Sequence, residues 1–374
     1  MPYTPLQDAI RTQPADQPHP SVLADYRGAT TAARFANPPQ EFAALQNACG
    51  IYDLGFRARL SLTGNDRVRW LNGMVTNNIR DLAAGHGVYA FLLNPQGRIL
   101  GDMYAYNRSD ALIVETDRSQ VEKIIATFDH YIIMDDVEVM DVSEQQTALG
   151  LAGPRARAIL NMAGIEVPNL KALQMITPSC NCDCGCLECT VICGEDGPQE
   201  SYEIWLAPKD AYKTWQALIA AGATPVGSEA LEMHRIAAGI PLYGVDIRER
   251  DLPQETEQMR ALNFNKGCYV GQEIVERIRS RGNVHRKFTG FVVEGAVAPG
   301  TKIVAEEKEV GEVTSIALVP HSSGNQAVAL GYIRREVGVP GREVAIGSHK
   351  ATVTQLPLDT AASGQKENSL LHSA

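Results

Sequence analysis

Two mostly apolar runs, residues 88–93 and 98–106, are separated by Asn94-Pro95-Gln96-Gly97. Proline fixes its own φ, and glycine opens backbone conformations that other residues avoid, so this punctuation predicts a β-hairpin. A short turn of this kind joins antiparallel strands. The neighbouring segments extend the constraint. Residues 58–62 alternate apolar and polar, as a strand with one buried face does, and 112–115 and 137–139 read as further strands. Residues 120–130 read as an amphipathic helix. Strand, hairpin and helix in this order predict an α+β unit on a mostly antiparallel sheet.

The pattern then repeats. A strand at 147–151 leads through Gly153-Pro154 into a helix ending near Leu160, with Pro154 suited to the first helical turn. Residues 201–206 read as a strand, and 210–221 and 229–239 as helices. Upstream, 41–48 reads as a helix stopped near Gly50, and Asp66 as the cap of a helix starting at Arg67. From Phe288 onward, short β-rich runs are split by glycine and proline, which predicts a small barrel. Much of residues 1–40, poor in aliphatic runs, reads as an arm over the surface with anchor points at 26–29 and 35–37, and 357–374 as a disordered tail. A chain of 374 residues is too long for one ordinary core and suggests two or three domains.

The net charge of −10 argues against broad, nonspecific nucleic-acid binding. No run of about twenty apolar residues predicts a membrane span. The start of the chain lacks a secretory or transit signal, so a cytoplasmic location is expected. Thiols there stay mostly reduced, and the eight cysteines read as free thiols or metal ligands.

One stretch concentrates chemistry: Lys266-Gly267-Cys268-Tyr269-Val270-Gly271-Gln272-Glu273. Gly267 and Gly271 permit sharp bends or close ligand approach, and an ammonium from Lys266 near the sulfur would favour the Cys268 thiolate. A glycine-rich turn with an inert cysteine fits the same residues. Residues 274–277 continue as helix or strand.

This stretch resembles the signature K-G-C-Y/F-x-G-Q-E of YgfZ-type folate-binding proteins, relatives of the T-protein (aminomethyltransferase) of the glycine cleavage system. Further resemblance lies at Ile51-Tyr52-Asp53-Leu54, Thr76-Asn77-Asn78, Gly153-Pro154, Ser201-Tyr202-Glu203 and Pro241-Leu242-Tyr243-Gly244, and runs from about Thr4 to Gln355. It implies a T-protein-like folate-binding fold of class α+β. Two antiparallel-sheet α+β domains and a C-terminal small β-barrel surround a central cleft. The implied domains are 1–48 with 145–265, then 49–144, and a barrel at 285–356. Tetrahydrofolate or another reduced folate is the implied ligand.

Under that resemblance Asp102 takes the place of an aspartate that contacts the reactive nitrogen of the folate. The family's G-G-x-x-D-D run is reduced here to Gly101-Asp102. Glu203, with Tyr202, takes the place of a glutamate set against the pteridine ring, which suits a carboxylate accepting two parallel hydrogen bonds. Arg235 falls where relatives keep an arginine near the folate. Tyr89 and Tyr243 are candidates for ring stacking, and Gly271 for a close approach. Each of these residues also has a purely structural reading. The basic run Arg277, Arg279, Arg281, His285, Arg286 and Lys287 reads as a solvated face or as a holder of a folate tail, an acidic partner or RNA.

Cys180, Cys182, Cys184, Cys186, Cys189 and Cys193 have no counterpart in the family pattern. Their spacing is open to Zn²⁺ or an iron–sulfur cluster, to a redox disulfide pair, or to an uncommitted loop. The resemblance implies a monomer that supports iron–sulfur proteins, their assembly factors or tRNA-modifying enzymes through Cys268, Lys266 and Asp102. Its alternative is a one-carbon transferase, an aminomethyltransferase or demethylase that uses tetrahydrofolate. A third reading is a scaffold with an empty cleft.

Overall fold

The computed structural model describes residues 1–14, 18–179, 188–195, 197, 199–282, 284–321 and 324–358. Helix α1 (Pro5–Ile10) opens the chain, with the Thr4 side chain accepting from the Gln7 amide. The hairpin of β1 (Val22–Tyr26) and β2 (Ala29–Arg34) follows. Helix α2 (Pro38–Asn47), with proline in its first turn, leads to β3 (Gly50–Asp53) and β4 (Arg57–Thr63). Helix α3 (Arg67–Met74) precedes the expected hairpin, β5 (Gly87–Leu93) and β6 (Ile99–Asn107). Then come β7 (Leu112–Asp117), α4 (Val121–Tyr131) and β8 (Glu138–Asp141). A five-stranded antiparallel sheet results, in the order β5-β6-β7-β4-β8.

The next segment supplies β9 (Thr147–Ala152), α5 (Ala156–Met162), β10 (Met175–Ile176), β11 (Cys189–Cys193) and β12 (Ser201–Leu206). It ends with α6 (Ala211–Ala220), β13 (Thr224–Pro225) and α7 (Ser228–Ala238). The six-stranded sheet runs β10-β11-β12-β9-β3-β13 and is antiparallel except where β13 lies parallel to β3. Helix α8 (Gln272–Arg281) resolves the open reading of 274–277 in favour of a helix. Six strands then close a barrel: β14 (Arg286–Val293), β15 (Lys302–Ala305), β16 (Lys308–His321), β17 (Gly324–Arg334), β18 (Glu343–Ile346) and β19 (His349–Thr354).

Contacts divide the chain into two units. One holds 1–234 and 242–285, the other 235–241 and 286–374. In the first unit the two faces of the five-stranded sheet have different tasks. Leu60, Leu62, Ala90, Leu92, Met103 and Ala105 pack on Trp70, Ile124 and Phe128 from α3 and α4. On the opposite face, Tyr89, Phe91, Leu93 and Ile99 pack on Ile247, Leu262, Tyr269 and Val275. Farther along that same face, Tyr106 and Ile113 meet Ala148, Ile192 and Trp205 of the six-stranded sheet. Asp102 and Tyr104 lie between these two packed regions, in register with Phe91 and Tyr89, and remain half-buried. The second unit has its own core, including Phe291, Val313, Ile333 and Val353.

The structure corrects two local expectations. The N-terminal stretch is no loose arm: Thr4, Leu6, Gln7 and Ile10 are buried. Thr4 and Thr31 both donate to the buried Asp53 carboxyl, which also accepts from the Gly55 amide. Burial raises that carboxyl, against the pull of its donors. Asp66 does sit at the cap position of α3 but makes no side-chain cap bond; its carboxylate accepts the Asp136 amide and pairs with Arg69. The expected tail falls almost wholly outside the described residues.

Candidate functional site

Asp102 is held on both carboxyl oxygens. The Tyr89 hydroxyl donates to Oδ2 at 2.7 Å, and Gln120 Nε2 donates to Oδ1 at 2.8 Å. Gln120 Oε1 in turn accepts the Asp102 amide at 3.1 Å. Burial raises the Asp102 carboxyl above its ordinary value, the Asp117 charge adds to this, and Gln120 and Tyr89 resist it. This clamp also bears on the reduction to Gly101-Asp102. A Cβ at Gly101 would lie 3.1 Å from Gln120 Oε1, so a side chain there presses on the residue that orients Asp102.

Glu203 projects from β12 on the face shared with Trp205, whose Nε1 donates to Oε2 at 3.0 Å. No protein donor reaches its other oxygen among the described residues. Burial, then the Glu115 carboxylate, push Glu203 up to about 7, while Arg57, Trp205 and Arg59 oppose them. The register supplies these charges. Arg59 lies opposite Glu115, Arg57 opposite Asp117, and Tyr104 opposite Glu115. Arg59 meets Glu115 at 2.7 Å, and Arg57 reaches Asp117 at 2.8 Å and Glu115 at 3.3 Å. The Arg59 guanidinium also sits 4.4 Å from the Trp205 ring centroid. Sequence reasoning passed over these four residues, although charges at alternate positions of apolar strands were a visible signal: an ionised side chain inside a sheet needs a partner.

An aromatic row crosses the site. Ring centroids are 5.1 Å apart for Tyr89 and Tyr104, 6.3 Å for Tyr104 and Tyr106, and 5.2 Å for Tyr106 and Trp205. Arg260 lies 4.5 Å from the Tyr89 ring centroid and pairs with Glu195. The Tyr104 hydroxyl donates to the same Glu195 oxygen at 2.8 Å. Glu195 and Arg260 were not sequence candidates, and nothing local marks them.

Other candidates sit elsewhere. Tyr202 points away from Glu203, as strand alternation requires. It is buried among Leu151, Val191 and Trp215, and its hydroxyl donates to Glu200. It offers no face to a ligand beside Glu203. Arg235 is buried and donates to the Ile240 carbonyl at 2.7 Å and to Ser315 Oγ on β16 at 3.1 Å. Tyr243 donates to the Leu100 carbonyl and accepts from Lys123, which fixes it behind β6.

The signature stretch is built differently from its expectation. The Lys266 ammonium donates to the carbonyls of Asn72 and Val75, each at 2.5 Å, and of Asn77 at 2.7 Å. Its three N–H groups are thereby used. Burial pushes Lys266 down to about 7, and Arg80 adds to this, while the three carbonyls favour the ammonium. It closes the C-terminal end of α3, where helix carbonyls lack partners. Cys268 is exposed, with no hydrogen-bond partner among the described residues. Gly271, at φ +81°, is the N-cap of α8, and a Cβ there would meet the Asn94 carbonyl oxygen at 2.6 Å.

Of the cysteine run, Cys180, Cys182, Cys184 and Cys186 lie outside the described residues. Cys189 and Cys193 stand at opposite ends of β11 and pack on one apolar core. Among the described residues, no group of three or more His, Cys, Asp or Glu side chains is placed to hold a metal ion.

Residues 20–266 match the family described as the GCVT N-terminal domain, and 286–359 the glycine cleavage T-protein C-terminal barrel domain. An aminomethyltransferase of Rubrobacter xylanophilus is 28% identical over 357 residues, spanning 93% of this chain and 94% of its own. An Arabidopsis thaliana protein, provisionally named as a chloroplastic transferase, is 28% identical over 330 residues, 86% of this chain and 74% of its own. The structure of glycine cleavage system aminomethyltransferase T from Bartonella henselae matches with a TM-score of 0.79 at 20% identity, over 90% of this chain and 93% of that one. The expected α+β fold with a C-terminal barrel is therefore the fold observed.

The same relatives overturn the expectation of an iron–sulfur support protein acting through Cys268. The relatives of Rubrobacter xylanophilus and Halothermothrix orenii, matched over 94% and 93% of their own length, are named aminomethyltransferases, and Lys266 is spent on backbone carbonyls at the end of α3. These relatives give no support to the expected iron–sulfur partners or tRNA-modifying enzymes. No helix among the described residues is long and apolar enough to cross a membrane. The cytoplasmic expectation gains nothing from a relative named for the chloroplast.

Proposed function

Because the chain belongs to the glycine cleavage T-protein family, we propose that it is a one-carbon transferase of the aminomethyltransferase type, binding a reduced folate beside the β5–β6 hairpin. The observation that carries this reading is the pair of half-buried carboxyls, Asp102 and Glu203, both within the field of Arg57. The donor set fits a folate. Glu203 keeps one oxygen without a protein partner and suits an aminopyrimidine edge, and the half-buried Tyr104 offers a ring beside it.

When bound, the folate supplies the nitrogen that accepts the one-carbon unit. The chain's residues position and steady it. Tyr89 and Gln120 fix the Asp102 carboxyl in one orientation, and its raised affinity for protons suits it to take one up during transfer. Arg57 keeps Glu203 and Asp102 from being pushed up further. Alignment and charge placement supply most of the rate when two substrates must meet.

The test is release of ammonia and methylenetetrahydrofolate from an aminomethylated lipoyl carrier. Asp102→Asn is expected to lower the rate at least about 100-fold, and Cys268→Ser to leave it within about twofold. A chain that neither binds folinic acid nor yields ammonia above the blank would end this reading.

A further inference from the structure

Resting on that reading, we infer that Tyr104 and Arg260 form a carboxylate subsite of the substrate cleft, filled here by the chain's own Glu195. Two donors from separate elements converge on one oxygen: the Tyr104 hydroxyl from β6, and the Arg260 guanidinium from the turn after residue 258. A hydroxyl and a guanidinium are the groups that recognise a carboxylate. The subsite is continuous with the candidate active site. Arg260 stacks on Tyr89, and Tyr89 donates to Asp102. Glu195 lies just past β11, and among the described residues its carboxylate meets Tyr104 and Arg260, so turning that side chain away frees both donors.

The subsite calls for a ligand that carries a carboxylate. Asp102 and Tyr104 are two residues apart on one strand face, about 6.6 Å between Cα atoms. Both side chains leave the same face, and Tyr89 touches both Asp102 and Arg260, so a ligand with its reacting nitrogen at Asp102 lies close to the subsite. That favours a small N-substituted amino acid over the distant glutamyl carboxylate of a folate, which is the other source of the same group.

The full chain is titrated calorimetrically with N-methylglycine, folinic acid and the glutamate-free pteroyl counterpart of folinic acid. Wild type is compared with Glu195→Ala, Glu195→Gln and Glu195→Ala/Arg260→Met, after thermal melts establish that each folds. Removing the internal competitor is expected to tighten N-methylglycine about tenfold, and Arg260→Met to erase the gain. A gain for folinic acid alone, absent for its glutamate-free counterpart, keeps the subsite but assigns it to the glutamyl tail. An equal gain for both pteroyl compounds, or no gain for any ligand, overturns the subsite and leaves a structural ion pair. The N-methylglycine arm does not require folate, so failure of wild type to bind folinic acid counts against the proposed function and not against the subsite.

Discussion

Lys266 and Glu203 show how burial reshapes single residues. Lys266 pays for its desolvation with three carbonyl contacts at the end of α3. Lys266→Met would strand those carbonyls, and a loss of about 2–4 kcal/mol is expected in chemical denaturation. With its three N–H groups on backbone carbonyls, losing the ammonium should leave the alkylation rate of Cys268 within about twofold in the folded variant. A large fall in that rate would restore an activating role. Glu203 is the opposite case, a carboxyl whose folded value of about 7 lies above its ordinary 4.5. Between those two values the native state holds more protons than the unfolded one, so stability falls as pH rises through that window. Glu203→Gln removes the dependence. The melting temperature of the variant minus that of wild type should grow by about 2 °C or more from pH 4.5 to pH 8. A constant difference would mean that Glu203 is not desolvated.

At the scale of elements, the hairpin and the helix after the signature depend on each other. Gly97, in the β5–β6 turn, would place a Cβ 2.7 Å from Ile274, and Gly271 would place one 2.6 Å from the Asn94 carbonyl. The two glycines therefore let the turn rest on the start of α8, which steadies the strand that carries Asp102. Gly271→Ala meets both a left-handed φ and this clash, and should cost about 1–3 kcal/mol. Gly267→Ala has nothing within 4 Å of the added Cβ. It should stay within about 0.5 kcal/mol. If denaturation curves ranked the two equally, the contact would not be what selects glycine. The hairpin was legible because its turn residues and apolar runs are local signals. The N-terminal helix was not, since Thr4 and Asp53 are joined only after folding. Alternation also misled: β4 was expected to bury one face, yet both its faces are covered and Arg59 is fully buried. Alternation should likewise have turned Tyr202 away from Glu203; only the resemblance had grouped them.

For the whole molecule, the barrel strands were legible from their glycine and proline punctuation, but membership of the second unit was not. Residues 235–241 belong with the barrel although they stand some fifty residues before it in sequence. The Leu358 amide donates to the Ala237 carbonyl, Leu356 packs on Gly239, and Arg235 donates to Ser315 and Ile240. A signal for this was present: an arginine near the end of a helix, just before an Ile-Pro break, has carbonyls to satisfy. Arg235 should then matter to the barrel and not to a folate. Arg235→Met leaves buried acceptors without their charged donor, and the barrel should lose about 2–4 kcal/mol. Hydrogen exchange separates the outcomes. Protection should fall in β16 and β17 while amides of the five-stranded sheet keep theirs, and folinic acid affinity should hold within about twofold. If affinity instead fell tenfold with barrel protection unchanged, Arg235 would be a ligand-binding residue, as the sequence resemblance had implied.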